Sequence, residues 1–317
     1  MIDFDRDIAP QRTALRSYCY RLLGTLADAD DAAQEALVRA WKARDRFEGR
    51  SSIKTWLFQI ASRVCFDQLS SRARRSMPDL ERGPASPTDP TSPDGELAWL
   101  EPAPDAWLEP EAGPEATIAK KQSIALAFLV ALQALPPLQR AVLVLREVLG
   151  HSAIETAEVL ESTVPAVNSA LQRARATLES MPVAKRPTEA VEQSLLARYL
   201  NAWERSDIKA LVSTLREDAS LVMPPMAQWF AGAENIAKFL AQPFLVAPEA
   251  DAARFKGVVT RASGFPAVAL FRRASPDAPW LPDSLHVLEL DGELLGRLVI
   301  YVTPALHAAY GVNALPS

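Results

Sequence analysis

Between Pro78 and Glu115 the chain places prolines at positions 78, 84, 87, 90, 93, 102, 104, 110 and 114. Each proline fixes its own φ and removes a backbone donor, so neither a helix nor a central strand can run through this stretch. The 317 residues are therefore divided early, and a single continuous core is excluded; at roughly 150 residues per domain the prior is two or three folding units. The same stretch is acidic. Residues 78–116 hold one Arg against ten Asp and Glu, a net of −9, while residues 1–77 hold 14 Lys and Arg against 10 acids and residues 117–186 hold 8 against 5. Residues 187–317 hold 11 against 14, which brings the whole chain to −5. Two basic modules joined by an acidic linker suit a polyanionic partner that the modules meet and the linker avoids; ordinary variation of surface charge is the plainer reading.

Inside the linker the tetrapeptide Trp-Leu-Glu-Pro occurs twice, at 99–102 and 107–110. Large apolar side chains in an acidic tether favour burial, so both Trp-Leu pairs are expected to act as docking anchors.

Composition excludes several classes. With 49% hydrophobic and 23% charged residues the chain is not disordered along its length. Its longest apolar run, Ile124 to Leu132, is half the roughly 18 residues a membrane span needs. The N-terminus lacks a basic segment followed by an apolar one, so a cytoplasmic address and no membrane partner are expected. Cys19 and Cys65 stand apart from His151, His286 and His307, which leaves no disulfide framework, metal site or cofactor to expect.

Before the linker every pattern is helical. Leu15, Tyr18, Cys19, Leu22, Leu23 and Leu26 fall on one helix face. Asp28 offers an N-cap for a second helix with Ala33, Leu37, Ala40 and Trp41 on its apolar face, and Ser51 or Ser52 caps a third with Ile53, Trp56, Leu57, Ile60, Ala61 and Val64 inward. Cys19 and Cys65 read as small core residues. After the linker, Leu138, Ala141, Val142, Leu145 and Leu149 form an amphipathic helix that Pro136-Pro137 opens and Gly150 closes. A short helix from Ser152 to Leu160, with Ile154, Ala157 and Leu160 inward, a turn at 161–163 and a helix with Val167, Ala170, Leu171, Ala174 and Leu178 buried make a helix-turn-helix candidate.

From Pro187 two helices (Glu189–Glu204, Asp207–Leu215) precede strands at Ala219–Met223, Phe255–Arg261, Ala267–Arg272, Leu285–Leu290 and Leu294–Thr303, with a further helix at Glu234–Leu240. Asp291-Gly292 is a hairpin turn, and the order predicts an α+β domain with antiparallel strands. The fold class is thus multidomain: two all-α modules at 1–77 and 117–186, an acidic Pro-rich linker at 78–116 and an α+β domain at 187–317.

The outward face of the last helix of the second module carries Asn168, Ser169, Gln172, Arg173 and Arg175. Asn and Gln suit adenine edges and Arg suits guanine or phosphate, so Pro165, Ala166, Asn168, Ser169 and Gln172 are the candidate base readers, with Arg173 and Arg175 on phosphate. A solvated face on a helical hairpin is the plainer alternative. In the first module Arg63, Arg72, Arg74 and Arg75 crowd the end of the third helix, where the helix dipole favours cations and where nucleic acid could also bind with help from Lys54. In the C-terminal part His286, and Asp218 on another strand, are the candidate acid–base groups, and Met223, Met226, Trp229, His286 and Tyr301 could line a small-molecule pocket or fill the core.

The strings DADDAAQEALVRAW, RSSIKTWLFQIASRVCFDQL and ALPPLQRAVLVLREVLGHSAIETAEVLESTVPAVNSALQRARATL resemble an extracytoplasmic-function sigma factor of bacterial RNA polymerase, the first two matching region 2 and the third region 4. The resemblance implies that Asp31, Gln34 and Glu35 dock on the clamp helices of core polymerase. It implies further that the element from Phe47 to Asp67 melts the minus-ten promoter region, with Lys54, Arg63 and Asp67 as candidate contacts. The helix-turn-helix at 152–178 would then read the minus-thirty-five element. At Ser62-Arg63 the chain departs from many relatives, which carry Arg-Asn. The segment 187–317, above all MPPMAQWFAGAENIAKFL, is similar to a SnoaL-like cone domain, used in some sigma factors as a regulator in cis. The implied function is a non-enzymatic sigma factor whose partners are core RNA polymerase, promoter DNA and a ligand of the C-terminal domain. A ligand-responsive helix-turn-helix repressor and a SnoaL-like enzyme on a DNA-binding scaffold are the alternatives.

Overall fold

A computed structural model describes residues 4–71, 75–89, 99–108, 126–179, 187–242 and 254–315. The chain divides into two units, one formed by Met1–Ser76 with Leu100–Pro182 and the other by Met77–Trp99 with Val183–Ser317. The acidic linker is therefore shared: the chain leaves one unit at Met77 and returns to it at Leu100.

In the helical unit α1 (Arg12–Leu23) ends where Gly24 turns left-handed at φ +84°. A side chain at that glycine would meet Arg75, Leu100 and Gln133 at 3.0 to 3.2 Å, so the turn needs glycine twice over. The stripe from Leu15 to Leu26 is buried as expected but crosses this break, since Leu26 opens the next helix. Helix α2 (Leu26–Ala43) is capped by Thr25, not Asp28; Asp28 is its third residue and donates its N–H to the Thr25 hydroxyl at 3.4 Å. The buried face of α2 is a row of alanines, 29, 32, 33, 36 and 40, and Trp41, expected in the core, is 48% exposed. An alanine row lets α1 and α2 approach closely, and the larger Leu37, Val38 and Trp41 line the open side. Ser52 caps α3 (Ile53–Ser70), whose Leu57, Ile60, Ala61 and Val64 are buried, while Ile53 and Trp56 sit at the rim, with the Trp56 ring 5.0 Å from Phe47.

Among the described residues of the linker two single turns follow, α4 (Pro78–Glu81) and α5 (Asp105–Leu108). Among the described residues the second helical module opens with α6 (Leu126–Ala134) and α7 (Pro137–Leu143), which runs into a π-turn at Val144–Val148. Leu138 is exposed rather than inward. Helix α8 (Ala153–Val159) starts with a reciprocal capping box between Ser152 and Glu155, and it buries Thr156, Ala157 and Val159. Ile154, expected inward, is 63% exposed, and Thr156 and Val159 take the buried side beside Ala157 instead. Helix α9 (Val164–Glu179) buries Val167, Ala170, Leu171 and Ala174.

The C-terminal unit places α10 (Glu189–Glu204) and α11 (Ile208–Val212, capped by Asp207) before the sheet. Its strands are β1 (Leu215–Val222), β2 (Trp229–Ala231), β3 (Phe255–Ala262), β4 (Phe265–Arg272), β5 (Leu281–Asp291) and β6 (Leu294–Tyr301), in the order β2-β1-β6-β5-β4-β3. Helices α12 (Ala233–Leu240) and α13 (Leu306–Ala309) complete it. The sheet is mixed, not wholly antiparallel: β1 lies parallel to β6, because the chain returns to β1 through the long β3–β5 meander. The short edge strand β2 has too few residues to show alternation in sequence. Gly257 of β3 lies directly under Leu200 of α10, leaving no room for a Cβ, so helix and sheet pack in close contact over Tyr199, Trp203, Leu270 and Leu288.

Candidate nucleic-acid and polymerase interface

On α2, Asp31, Gln34 and Glu35 are all exposed and, at i, i+3 and i+4, share one face. Gln34 also lines a groove of about 700 Å³ between α1 and α2, walled by Arg12, Thr13, Arg16, Asp30, Ala33, Leu37, Val38 and Trp41. Burial at this groove raises the Asp30 carboxyl above its usual range, partly offset by Arg16. Arg44 lies over the Trp41 ring at 4.1 Å, and Arg39 ties the polar face together by pairing with Glu35 at 2.8 Å and Asp67 at 3.8 Å.

On α3 the structure brings Arg63 and Asp67 to one exposed face together with Gln59. Lys54, nine residues before Arg63, falls half a turn away from it, because nine steps of about 100° leave a remainder of about 180°. Arg72 and Arg74 lie outside the described residues. Arg75 is turned into the protein: its Nε donates to the Leu23 carbonyl at 2.7 Å and its Nη2 pairs with Asp28. It braces the α1–α2 corner, a role that the cluster of arginines in sequence did not reveal.

In the helix-turn-helix the seven candidate positions Pro165, Ala166, Asn168, Ser169, Gln172, Arg173 and Arg175 are all exposed on α9. The Thr163 hydroxyl accepts the Ala166 N–H at 3.3 Å and so caps the N-terminal end that a groove-reading helix presents. Arg175 pairs with Glu147 at 2.5 Å.

Two buried arginines that sequence reasoning missed knit the helical unit. Arg21, wholly buried, donates to the Leu108 carbonyl at 2.9 Å and to Ser17, and burial lowers its pKa to about 10. Arg140 of the second module donates to the Leu22 carbonyl of the first, to Gln133 Oε1 at 2.7 Å and to the Gln133 and Leu135 carbonyls at 3.0 and 3.1 Å. Amphipathic periodicity treats an Arg as surface, so neither had a signal.

Both Trp-Leu pairs are buried. Trp107 lies under the Arg16 guanidinium at 3.9 Å. Glu101 accepts the N–H of Leu26, the first residue of α2, at 2.9 Å, and its backbone bonds Gly24 and Tyr20. Trp99, in the other unit, donates Nε1–H to the Pro225 carbonyl at 3.1 Å.

The pocket expected from Met223, Trp229, His286 and Tyr301 does not form. Alternation along paired strands sends Met223 and His286 to the helix-covered face and Trp229 and Tyr301 to the opposite one. The outer pair holds linker residues instead: Trp229 Nε1 donates to the Arg82 carbonyl at 2.8 Å and the Tyr301 hydroxyl points at Met77 Sδ at 3.8 Å. Met226 packs at the margin of the core. On the inner face a cavity lined by Trp203, Phe255 and Leu240 has a volume of about 10 Å³, too small for a ligand larger than one water. Burial, with His307 nearby, lowers His286 to about 3. Ser284 Oγ donates to Asp283 at 3.0 Å, so it accepts His286 Nε2–H at 2.9 Å, and Nδ1 accepts the Tyr199 hydroxyl at 2.7 Å. Asp218 is far from this chain of bonds, exposed and paired with Arg216, which holds its carboxyl low.

The two helical modules, one of them ending in a helix-turn-helix with an exposed outer face, are matched by two families of transcription initiation factors. The sequence family Sigma-70 region 2 matches residues 10–75, and Sigma-70 region 4 matches residues 125–178. The chain is 38% identical over 316 residues to the ECF RNA polymerase sigma factor SigG of Mycobacterium tuberculosis (strain ATCC 25618 / H37Rv), covering 98% of this chain and 84% of that one. It is 27% identical over 236 residues to SigJ of the same organism, covering 72% and 69%. The crystal structure of Mycobacterium tuberculosis SigJ shares the fold, with a TM-score of 0.59 at 18% identity over 96% of this chain and 98% of that one. The chain belongs to the extracytoplasmic-function (ECF) family of RNA polymerase sigma factors, and its C-terminal unit has the α+β fold expected from the sequence. Among the described residues no helix is long and apolar enough to cross a membrane.

Proposed function

We propose that this sigma factor docks on core RNA polymerase through Asp31, Gln34 and Glu35 and the adjoining α1–α2 groove, meets the minus-ten region through Arg63 and Asp67 of α3, and reads the minus-thirty-five element with α9. The observation that carries the reading is the exposure of every candidate reading position on α9 above a buried Val167, Ala170, Leu171 and Ala174. A groove-reading helix needs that division between anchored and free faces.

The C-terminal domain acts in cis as a regulator and not as a catalyst. Support comes from His286, whose two ring nitrogens are both spent on protein groups, and from the sheet, which holds Met77, Asp79 and Arg82 of the linker while the β1–β2 loop holds Trp99. A domain that holds the linker can bias how the two sigma modules are presented.

Run-off transcription with core polymerase, using the promoter upstream of the chain's own gene, tests both parts. Alanines at Asp31, Gln34 and Glu35 together should reduce core binding and transcription at least about tenfold, a loss of about 1.4 kcal/mol; a repressor would be indifferent to them. Trp99→Ala should change transcript yield without changing the affinity of α9 for duplex promoter DNA. Equal yield would remove the regulatory role.

A further inference from the structure

We propose that Glu161, in the turn of the helix-turn-helix, is an intramolecular stand-in for a nucleic-acid phosphate: it occupies Arg63 and Gln59 on the promoter-facing side of α3 and must be displaced before they meet DNA. The proposal rests on the minus-ten reading of Arg63 above.

Three observations carry it. Glu161 Oε1 accepts from Gln59 Nε2 at 2.8 Å and from Arg63 Nη2, while Oε2 accepts from Arg63 Nε at 3.2 Å. This fork of two guanidinium donors onto two oxygens is the arrangement a phosphate would take, so carboxylate and phosphate are direct competitors. Second, the backbone at Glu161 is left-handed, φ +49°, a conformation that favours Gly or Asn. The turn would close more easily with either residue, yet it carries an acidic side chain that reaches α3. Third, Arg63 and Glu161 are 57% and 53% exposed, so the pair lies in water and exchanges readily, as a gate requires. The Phe58 ring of α3 also meets His151, just before α8, edge-on at 5.3 Å.

The test uses the full chain without polymerase and a short fluorescein-labelled single-stranded DNA, with affinity measured by anisotropy at low salt. Glu161→Gln should bind about two- to fivefold tighter than wild type, the range of an exposed ion pair. Glu161→Gly, which also relaxes the turn, should bind at least as tightly while its thermal midpoint does not fall, which separates competition from loss of fold. Arg63→Ala should weaken binding and erase the difference between the wild-type and Glu161→Gln backgrounds. If Glu161→Gln binds as wild type does while Arg63→Ala weakens both, the stand-in is overturned and the minus-ten reading survives. If Arg63→Ala changes neither background, the minus-ten reading fails and takes the proposal with it.

Discussion

Asp79 of the linker and Arg297 of β6 face each other as a two-point pair, Oδ2 to Nε at 3.0 Å and Oδ1 to Nη2 at 2.9 Å, and Glu289 of β5 takes the remaining Nη1 at 2.8 Å. All three side chains are less than one-fifth exposed. Burial raises Glu289, Arg297 opposes that, and the two carboxylates hold the guanidinium above its usual pKa. Removing Asp79 leaves a buried cation with one partner, which costs less than orphaning it but more than breaking a surface pair. Asp79→Ala should lower the stability of the C-terminal unit by about 2 kcal/mol and speed proteolysis within residues 77–89, read by denaturant unfolding and mass mapping of the cuts. Unchanged cleavage would show that the pair does not hold the linker.

The Trp-Leu pairs of the repeated Trp-Leu-Glu-Pro make different contacts, Trp99 with Pro225 and Trp107 with Arg16, and the first copy ties α2 down through its glutamate. Glu101 satisfies a helix N-terminal N–H that Thr25 cannot reach and places negative charge at the positive end of the helix dipole. Glu101→Ala should cost about 1 kcal/mol, and Glu101→Gln, which keeps an acceptor and drops the charge, should recover part of it. Urea unfolding of the full chain followed at α2 checks the order of the three proteins.

What was legible in sequence follows from what repeats along the chain. Helix periodicity places α10 at Glu189–Glu204 without error and finds the buried face of α9, because those faces carry large apolar residues against charged ones. It misjudges Trp41 and Ile154, since a stripe of alanines or a Thr156 turned inward sends no such contrast. The outward face of α9 was legible from helix periodicity, whereas Asp31, Gln34 and Glu35 were legible only through motif resemblance; the exposure of both sets is compatible with the resemblance and does not by itself assign a partner. Arg21, Arg140 and Arg75 were illegible because each is held by carbonyls or an acid distant in sequence. The expected pocket fails for a simpler reason: two-residue alternation along the strands divides its four residues between opposite faces of the sheet.

His286 gives the C-terminal unit an acid-sensitive stability. Its imidazole is lowered to about 3 when folded and returns to about 6.5 when unfolded. Above pH 6.5 both states are neutral and the contribution is complete; as pH falls toward 3 only the unfolded state binds the proton, and stability is lost. The groups facing it, Tyr199, Trp203 and Ser284, are neutral, with His307 adding repulsion. Between pH 6.5 and 5, above most carboxylate titration, His286→Gln should reduce the dependence of unfolding free energy on pH by up to about 1.4 kcal/mol per unit. Parallel curves for the two proteins would place the proton elsewhere.

The exposed face of α9 predicts two kinds of promoter defect. Asn168 and Gln172 lie one turn apart, and an amide that pairs bidentately with an adenine discriminates against other bases by about 1–3 kcal/mol. Asn168→Ala and Gln172→Ala should therefore relax the base preference at single positions of the upstream element while leaving binding to unrelated duplexes nearly unchanged. Arg173 is exposed beside Gln172, and the proposed docking would set its guanidinium against backbone phosphate. Arg173→Ala should weaken binding to every sequence alike and reduce the slope of log affinity against log salt by about one. Selection from a randomised upstream element, with salt titration of each variant bound to core polymerase, separates the two; a uniform loss from Asn168→Ala would make that residue a phosphate contact and not a reader.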